Sequence, residues 1–184
     1  MKKVLAIAAL VSLGFAANAQ TPASTTAQQT VNLSLSDAIE LIFTGSGSAT
    51  GAAVTMSFNN VNDYANGVAS SAQELKVRSN KNFSVAVKSN AVSFTYTGTT
   101  SPAPVMPVSG VLALKVTANG TGGSIASPFS ATTYSTLTSA NQNLISAGTR
   151  GGNQTFSIMY NATPGFSYPA GNYAVDVVYT ATQQ

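Results

Sequence analysis

The sequence predicts an all-β fold, an antiparallel sandwich of about eight to nine short strands. Three observations carry this. Apolar residues recur at every second position in short runs, as in Val54, Met56, Phe58 and in Phe83, Val85, Val87, the period of a half-buried strand. Breaks rich in Gly, Asn, Ser and Pro separate the runs. No stretch holds the 3.6-residue apolar period of a long amphipathic helix, and no repeat of fixed period is present.

The first element to set aside is a targeting segment. Met1-Lys2-Lys3 is followed by an apolar run from Val4 to Phe15 and by Ala17-Asn18-Ala19. That is the order of a signal peptide: a charged head, an apolar stretch and a small-x-small cleavage site. The apolar run is shorter than the roughly 20 residues of a membrane span. The expectation is a signal peptide over 1–19, a mature start at Gln20 and no transmembrane segment in the mature chain. Export to the periplasm, cell surface or medium follows. The 165 residues that remain suit one domain with a sizeable core.

Lys2 and Lys3 account for two units of the formal net charge of +3, so the mature chain is almost neutral and nothing points to nucleic acid. Cysteine is absent, so stability must come from the core and its hydrogen bonds. Charged residues are only 7% of the chain, which suits a surface built for packing or assembly.

Residues 20–30 lack apolar periodicity and read as a flexible leader, followed by a single sandwich domain over 31–184. Val31, Leu33 and Leu35 alternate with polar residues as a first strand, and Ile39, Leu41 and Phe43 resume the alternation. Val54 to Phe58 is a further strand, and NNVNDYANG over 59–67 is dense in turn formers. Leu75 and Val77 alternate with Lys76 and Arg78, and across the turn SNKN they read as a β-hairpin with Phe83, Val85 and Val87. Val92, Phe94 and Tyr96 share a phase. SPAPVMPVSG over 101–110 holds three prolines and must cross between sheets or follow an edge. Leu112, Leu114 and Val116 give another strand. The stretch 117–153 offers only scattered apolar anchors, with a short edge strand or helical turn near 139–146. Phe156, Ile158, Tyr160 and then Tyr173, Val175, Val177, Tyr179 complete the series.

The turn before that last run has its own signature. Pro169 fixes φ, Gly171 permits a sharp path, and Tyr173 can return its hydroxyl to a backbone acceptor. This resembles the tyrosine corner of immunoglobulin-like sandwiches, so Pro169, Gly171 and Tyr173 are expected to form a structural corner of an immunoglobulin-like β-sandwich. An ordinary turn followed by a core tyrosine is the alternative. More broadly, Phe156, Ile158, Tyr160, Pro169, Gly171, Tyr173, Val177, Tyr179 and Thr180 resemble the closing strands of secreted bacterial spore-coat-U-like and chaperone-usher pilin-like domains. The resemblance implies pilus, coat, matrix or adhesive subunits without catalytic chemistry. It covers about a third of the mature chain, and the absence of cysteine departs from many such pilins.

Chemistry-bearing residues are sparse. Without His or Cys there is no triad of the nucleophile-His-acid kind and no usual zinc ligand set. A Ser-Lys dyad would need Lys76, Lys81, Lys88 or Lys115, each explained by a solvated strand face. The five acids, Asp37, Glu40, Asp63, Glu74 and Asp176, share no motif that would pair two of them for glycoside hydrolysis. Asn59, Asn60, Asn62 and Asp63 hold one carboxylate among them, a weak calcium set and a good turn. GSGSATG and NGTGGS lack the Lys-Ser/Thr ending of a phosphate loop.

The expectation is therefore a noncatalytic exported structural protein, with no cofactor and no metal. Its partners would be further copies of itself or other surface proteins, and glycans. Thr30 to Leu35 is the candidate strand for donation to a neighbour's sheet edge; pairing inside its own fold is the competing arrangement. A glycan- or envelope-binding module is the alternative function, with Phe166, Tyr168, Lys76 and Arg78 as candidate ligand contacts.

Overall fold

A computed structural model describes residues 23–184; the expected signal peptide over 1–19 and the start of the leader lie outside the described residues. The chain divides into Met1–Leu35 and a folded body, Ser36–Gln184. In the first unit, residues 23–35 contain no strand. Val31, Leu33 and Leu35, expected in a strand, are 75%, 83% and 87% exposed.

The body is an all-β antiparallel sandwich. In chain order its elements are β1 (Ile39–Phe43), α1 (Val61–Asn66), β2 (Val68–Ala69), β3 (Gln73–Ser79), β4 (Phe83–Ser89), β5 (Thr95–Thr97), β6 (Leu112–Asn119), β7 (Ser124–Ile125), β8 (Ser135–Thr136), β9 (Gln142–Gly148), β10 (Gly151–Ala162), β11 (Asn172–Ala174) and β12 (Val177–Gln183). One sheet runs β1-β3-β10-β6-β8, with β2 also on β10; the facing sheet runs β12-β4-β9-β7; β11 and β5 form a separate ribbon. The twelve strands exceed the eight to nine expected because several are two- or three-residue pairings too short to show a period.

The core sits between the two larger sheets, where the inward phases meet. Leu75 and Val77 of β3, Phe83, Val85 and Val87 of β4, Leu114 and Val116 of β6, and Phe156 and Ile158 of β10 are all buried. Each large apolar side chain so buried contributes about 1.5–3 kcal/mol. Buried hydroxyls close their bonds locally: Ser79 Oγ donates to the Lys81 carbonyl and Ser89 Oγ to the Ala91 carbonyl, both at 2.7 Å. Among the described residues no buried side-chain nitrogen or oxygen lacks a partner, as a stable interior requires.

Four local expectations are corrected. β3 and β4 are not a hairpin: β3 pairs β1 and β10, whereas β4 pairs β12 and β9, so the 79–82 turn carries the chain from one sheet to the other. The turn-rich 59–67 stretch contains a capped helical turn, because Asn60 accepts from the N–H groups of Asn62 and Asp63 while Asp63 accepts from the Asn60 N–H. The last alternating run is two strands, broken at Val175-Asp176, where the Asn90 side chain bonds Asp176. Residues 52–58 keep the alternation, with Val54, Met56 and Phe58 turned toward the core, yet belong to no strand.

Candidate functional site

The sandwich is closed unevenly. β1 is the edge of one sheet and β12 the edge of the other. They lie side by side in opposite directions, since the Gln183 amide reaches the Ala38 carbonyl (2.8 Å) and the Phe43 ring meets the Tyr179 ring edge-on (centroids 6.0 Å apart). No ladder joins them. Between them is a cavity of about 370 Å³ lined chiefly by Ile39, Leu41, Phe43, Leu75, Val177 and Tyr179.

The side chains of this seam are half-covered. Leu41 and Phe43 on one flank, and Val177, Tyr179 and Ala181 on the other, are only partly buried where they pack against the core. The backbone is equally unfinished there: β12 is paired only on its β4 side, and the outer edge of β1 is bonded at Phe43, to Ser48 and Gly47. Unpaired strand groups with a row of apolar side chains beneath them form a template for another strand.

A polar clasp shuts one end. Gln183 Nε2 donates toward the Ala38 carbonyl, Ser79 Oγ and Asn80 Oδ1 at 2.8, 3.1 and 3.0 Å. Asn80 in turn donates to the Ser36 carbonyl and accepts from the Ala38 N–H. Lys81 pairs with Asp37 at 2.7 Å. The clasp ties the start of β1 to the end of β12. The floor of the seam is tied by a second contact, the hydroxyl pair of Tyr160 and Tyr179, 2.7 Å apart.

The residues singled out in the sequence fall in two places. Tyr173 hydroxyl donates to the Pro169 carbonyl at 2.8 Å, and Tyr96 hydroxyl donates to the Ala170 carbonyl, so the Pro169-Ala170-Gly171 turn is held by a tyrosine from each strand of the β5–β11 ribbon. A Cβ at Gly171 would meet the Tyr96 ring. Phe166 and Tyr168 belong to the loop between β10 and β11, Phe166 stacked on Tyr64 and Tyr168 edge-on to Tyr173. Lys76 and Arg78 lie in mid-sheet on β3, Lys76 opposite Thr155 and Arg78 paired with Glu40 at 2.6 Å. The structure thus separates the aromatic candidates from the basic ones.

The carboxylates are likewise dispersed. Asp37 and Glu40 hold Lys81 and Arg78, Asp63 caps α1, and Asp176 accepts from Asn90. Among the described residues no group of three metal-capable side chains comes together, and no helix is long and apolar enough to cross a membrane. The seam itself escaped sequence reasoning.

No protein-family model matches the chain, and no curated protein matches it.

Proposed function

We propose that this is a noncatalytic exported structural protein, a pilin-like, coat or matrix subunit, that assembles by accepting a strand from a second copy into the β1–β12 seam. The open seam, with β12 unpaired along its outer edge and β1 bonded there at Phe43, is the observation that carries the reading. The donor is Thr30 to Leu35. Its Val31, Leu33 and Leu35 repeat at the two-residue spacing of Val177, Tyr179 and Ala181, and they are exposed. Six residues span about 20 Å, close to the length of β12.

The clasp gives the donor a direction. Its own body follows residue 35 and stays outside the neighbour's seam, at the unclasped end. Residue 30 then points to Gln183, and the donated strand runs antiparallel to β12, the pairing that is slightly more stable per residue. Burying three apolar side chains at about 1.5–3 kcal/mol each offsets much of the cost of ordering six residues, about 1–2 kcal/mol each, and the new ladder hydrogen bonds add to it.

The test is electrophoresis of residues 20–184 without boiling, beside the same chain lacking 20–35. Heat-sensitive, detergent-resistant ladders from the first and none from the second are expected. Clean monomers from both at high concentration would rule out strand donation. Val177→Lys should abolish the ladder by placing a charge in the seam, while leaving circular dichroism unchanged.

A further inference from the structure

We propose that the pole of the sandwich formed by α1, the β10–β11 loop and the β5–β11 ribbon is a binding site for neutral carbohydrate. The inference does not depend on the seam or on assembly. It starts from where the aromatic residues gather. Phe58 packs on Tyr64 and Tyr64 stacks on Phe166, with centroids 5.4 and 5.6 Å apart and the second pair only 22° from parallel. Tyr173 meets Tyr96 at 5.0 Å and Tyr168 at 6.4 Å. Phe166 and Tyr168, one from each group, stand two residues apart in the β10–β11 loop, so the two groups of rings adjoin.

One ring of the cluster is offered to solvent. Phe166 is 67% exposed and rests on Tyr64, which covers one of its faces and fixes the plane of the other. Such an aromatic face suits the C–H face of a pyranose ring. The hydroxyls beside it point to the same ligand. Those of Tyr96, Tyr160, Tyr173 and Tyr179 are all bonded within the protein, whereas those of Tyr64 and Tyr168 have no partner among the described residues. A phenol hydroxyl is donor and acceptor at once, the complement of a sugar hydroxyl.

The charge pattern narrows the class. Residues 58–67, 96–104 and 163–173 contain one charged side chain, Asp63, and its carboxylate is occupied by the N–H groups of Asn59 and Asn60 at 2.7 and 3.1 Å. No Lys or Arg is present to hold a carboxylate, sulfate or phosphate. A neutral saccharide is what an exposed ring, two free hydroxyls and no cation can recognise.

The experiment is an amide-resonance titration of the exported protein with cellohexaose, maltoheptaose and chitohexaose, with hexagalacturonate as the anionic control. At least one neutral oligosaccharide should shift Tyr64 and residues 165–168, and the anionic one should not. Phe166→Ala should weaken binding by about tenfold or more, Phe166→Tyr should retain it, and Tyr168→Phe should weaken it. Phe166 is exposed, so its variants keep the fold. No response at the pole from any neutral oligosaccharide at about 10 mM, or binding indifferent to Phe166→Ala, would overturn the proposal. So would a change of oligomeric state on Phe166→Ala without a sugar response, which would make the pole a protein contact.

Discussion

The hydroxyls of Tyr160 on β10 and Tyr179 on β12 meet at 2.7 Å, joining the two sheets of the sandwich across the floor of its open seam. Removing one partner strands the other in a buried site. Tyr179→Phe should therefore cost about 1–3 kcal/mol, read as a lower urea midpoint at unchanged slope.

The same pair makes stability sensitive to alkali. Burial is the main cause that pushes Tyr160 up to about 12, with the Tyr179 hydrogen bond acting against it. Tyr179 is raised well above 10 by burial, then by the charge of ionised Tyr160 and their hydrogen bond. A hydroxyl that releases its proton later when folded stabilises the fold fully below pH 10. That contribution is lost as pH climbs from 10 toward about 12, by up to roughly 1.4 kcal/mol per pH unit per tyrosine. Urea midpoints between pH 9 and 11.5 should fall steeply for the parent and less steeply for Tyr179→Phe; equal slopes would contradict the pairing.

The capped turn of α1 should be sensitive at both ends. Asn60→Ala removes the acceptor of the Asn62 and Asp63 N–H groups and should cost about 1 kcal/mol. Gly67, at φ 79°, faces the Ala162 carbonyl, which an added Cβ would approach to 2.7 Å while also striking Thr163 Oγ1. Gly67→Ala should cost more than Asn60→Ala by thermal denaturation, because it strains the backbone as well as the packing.

β9 shows why part of the fold was hidden in the sequence. Leu144 and Ile145 are adjacent and both fully buried, because the register against β4 shifts between Val85–Ile145 and Ala86–Asn143. A bulge breaks the two-residue period, so a central strand of the second sheet left only scattered apolar anchors. Leu144→Ala should cost about 2–5 kcal/mol, well beyond what an edge strand or surface turn would lose.

Where the period is unbroken, as in Leu75–Val77 and Phe83–Val87, the strands were legible and their inward faces correct. Their partners were not, because a four-residue turn serves a hairpin or a change of sheet equally well, and only the hydrogen bonds of β10 and β12 decide which. The stretch 52–58 was misleading for a related reason. Val54, Met56 and Phe58 have the side-chain pattern of a strand, and period says nothing about whether the backbone finds a partner. The aromatic pole was half visible: Phe166 and Tyr168 stood out beside the Pro169 turn, while Tyr64 lay unnoticed among turn-forming asparagines about a hundred residues upstream.

Strand donation with the direction set by the Gln183 clasp is tested most directly by disulfide capture, since the chain has no cysteine of its own. Chains carrying Ser34→Cys are mixed with chains carrying Val178→Cys or Thr182→Cys, both on the outward phase of β12. With Leu33 opposite Tyr179, the antiparallel strand sets Ser34 beside Val178, so the first mixture should yield the covalent dimer and the second should not. Preferential capture at Thr182 would contradict this register and direction, and no capture in either mixture would contradict donation into the seam.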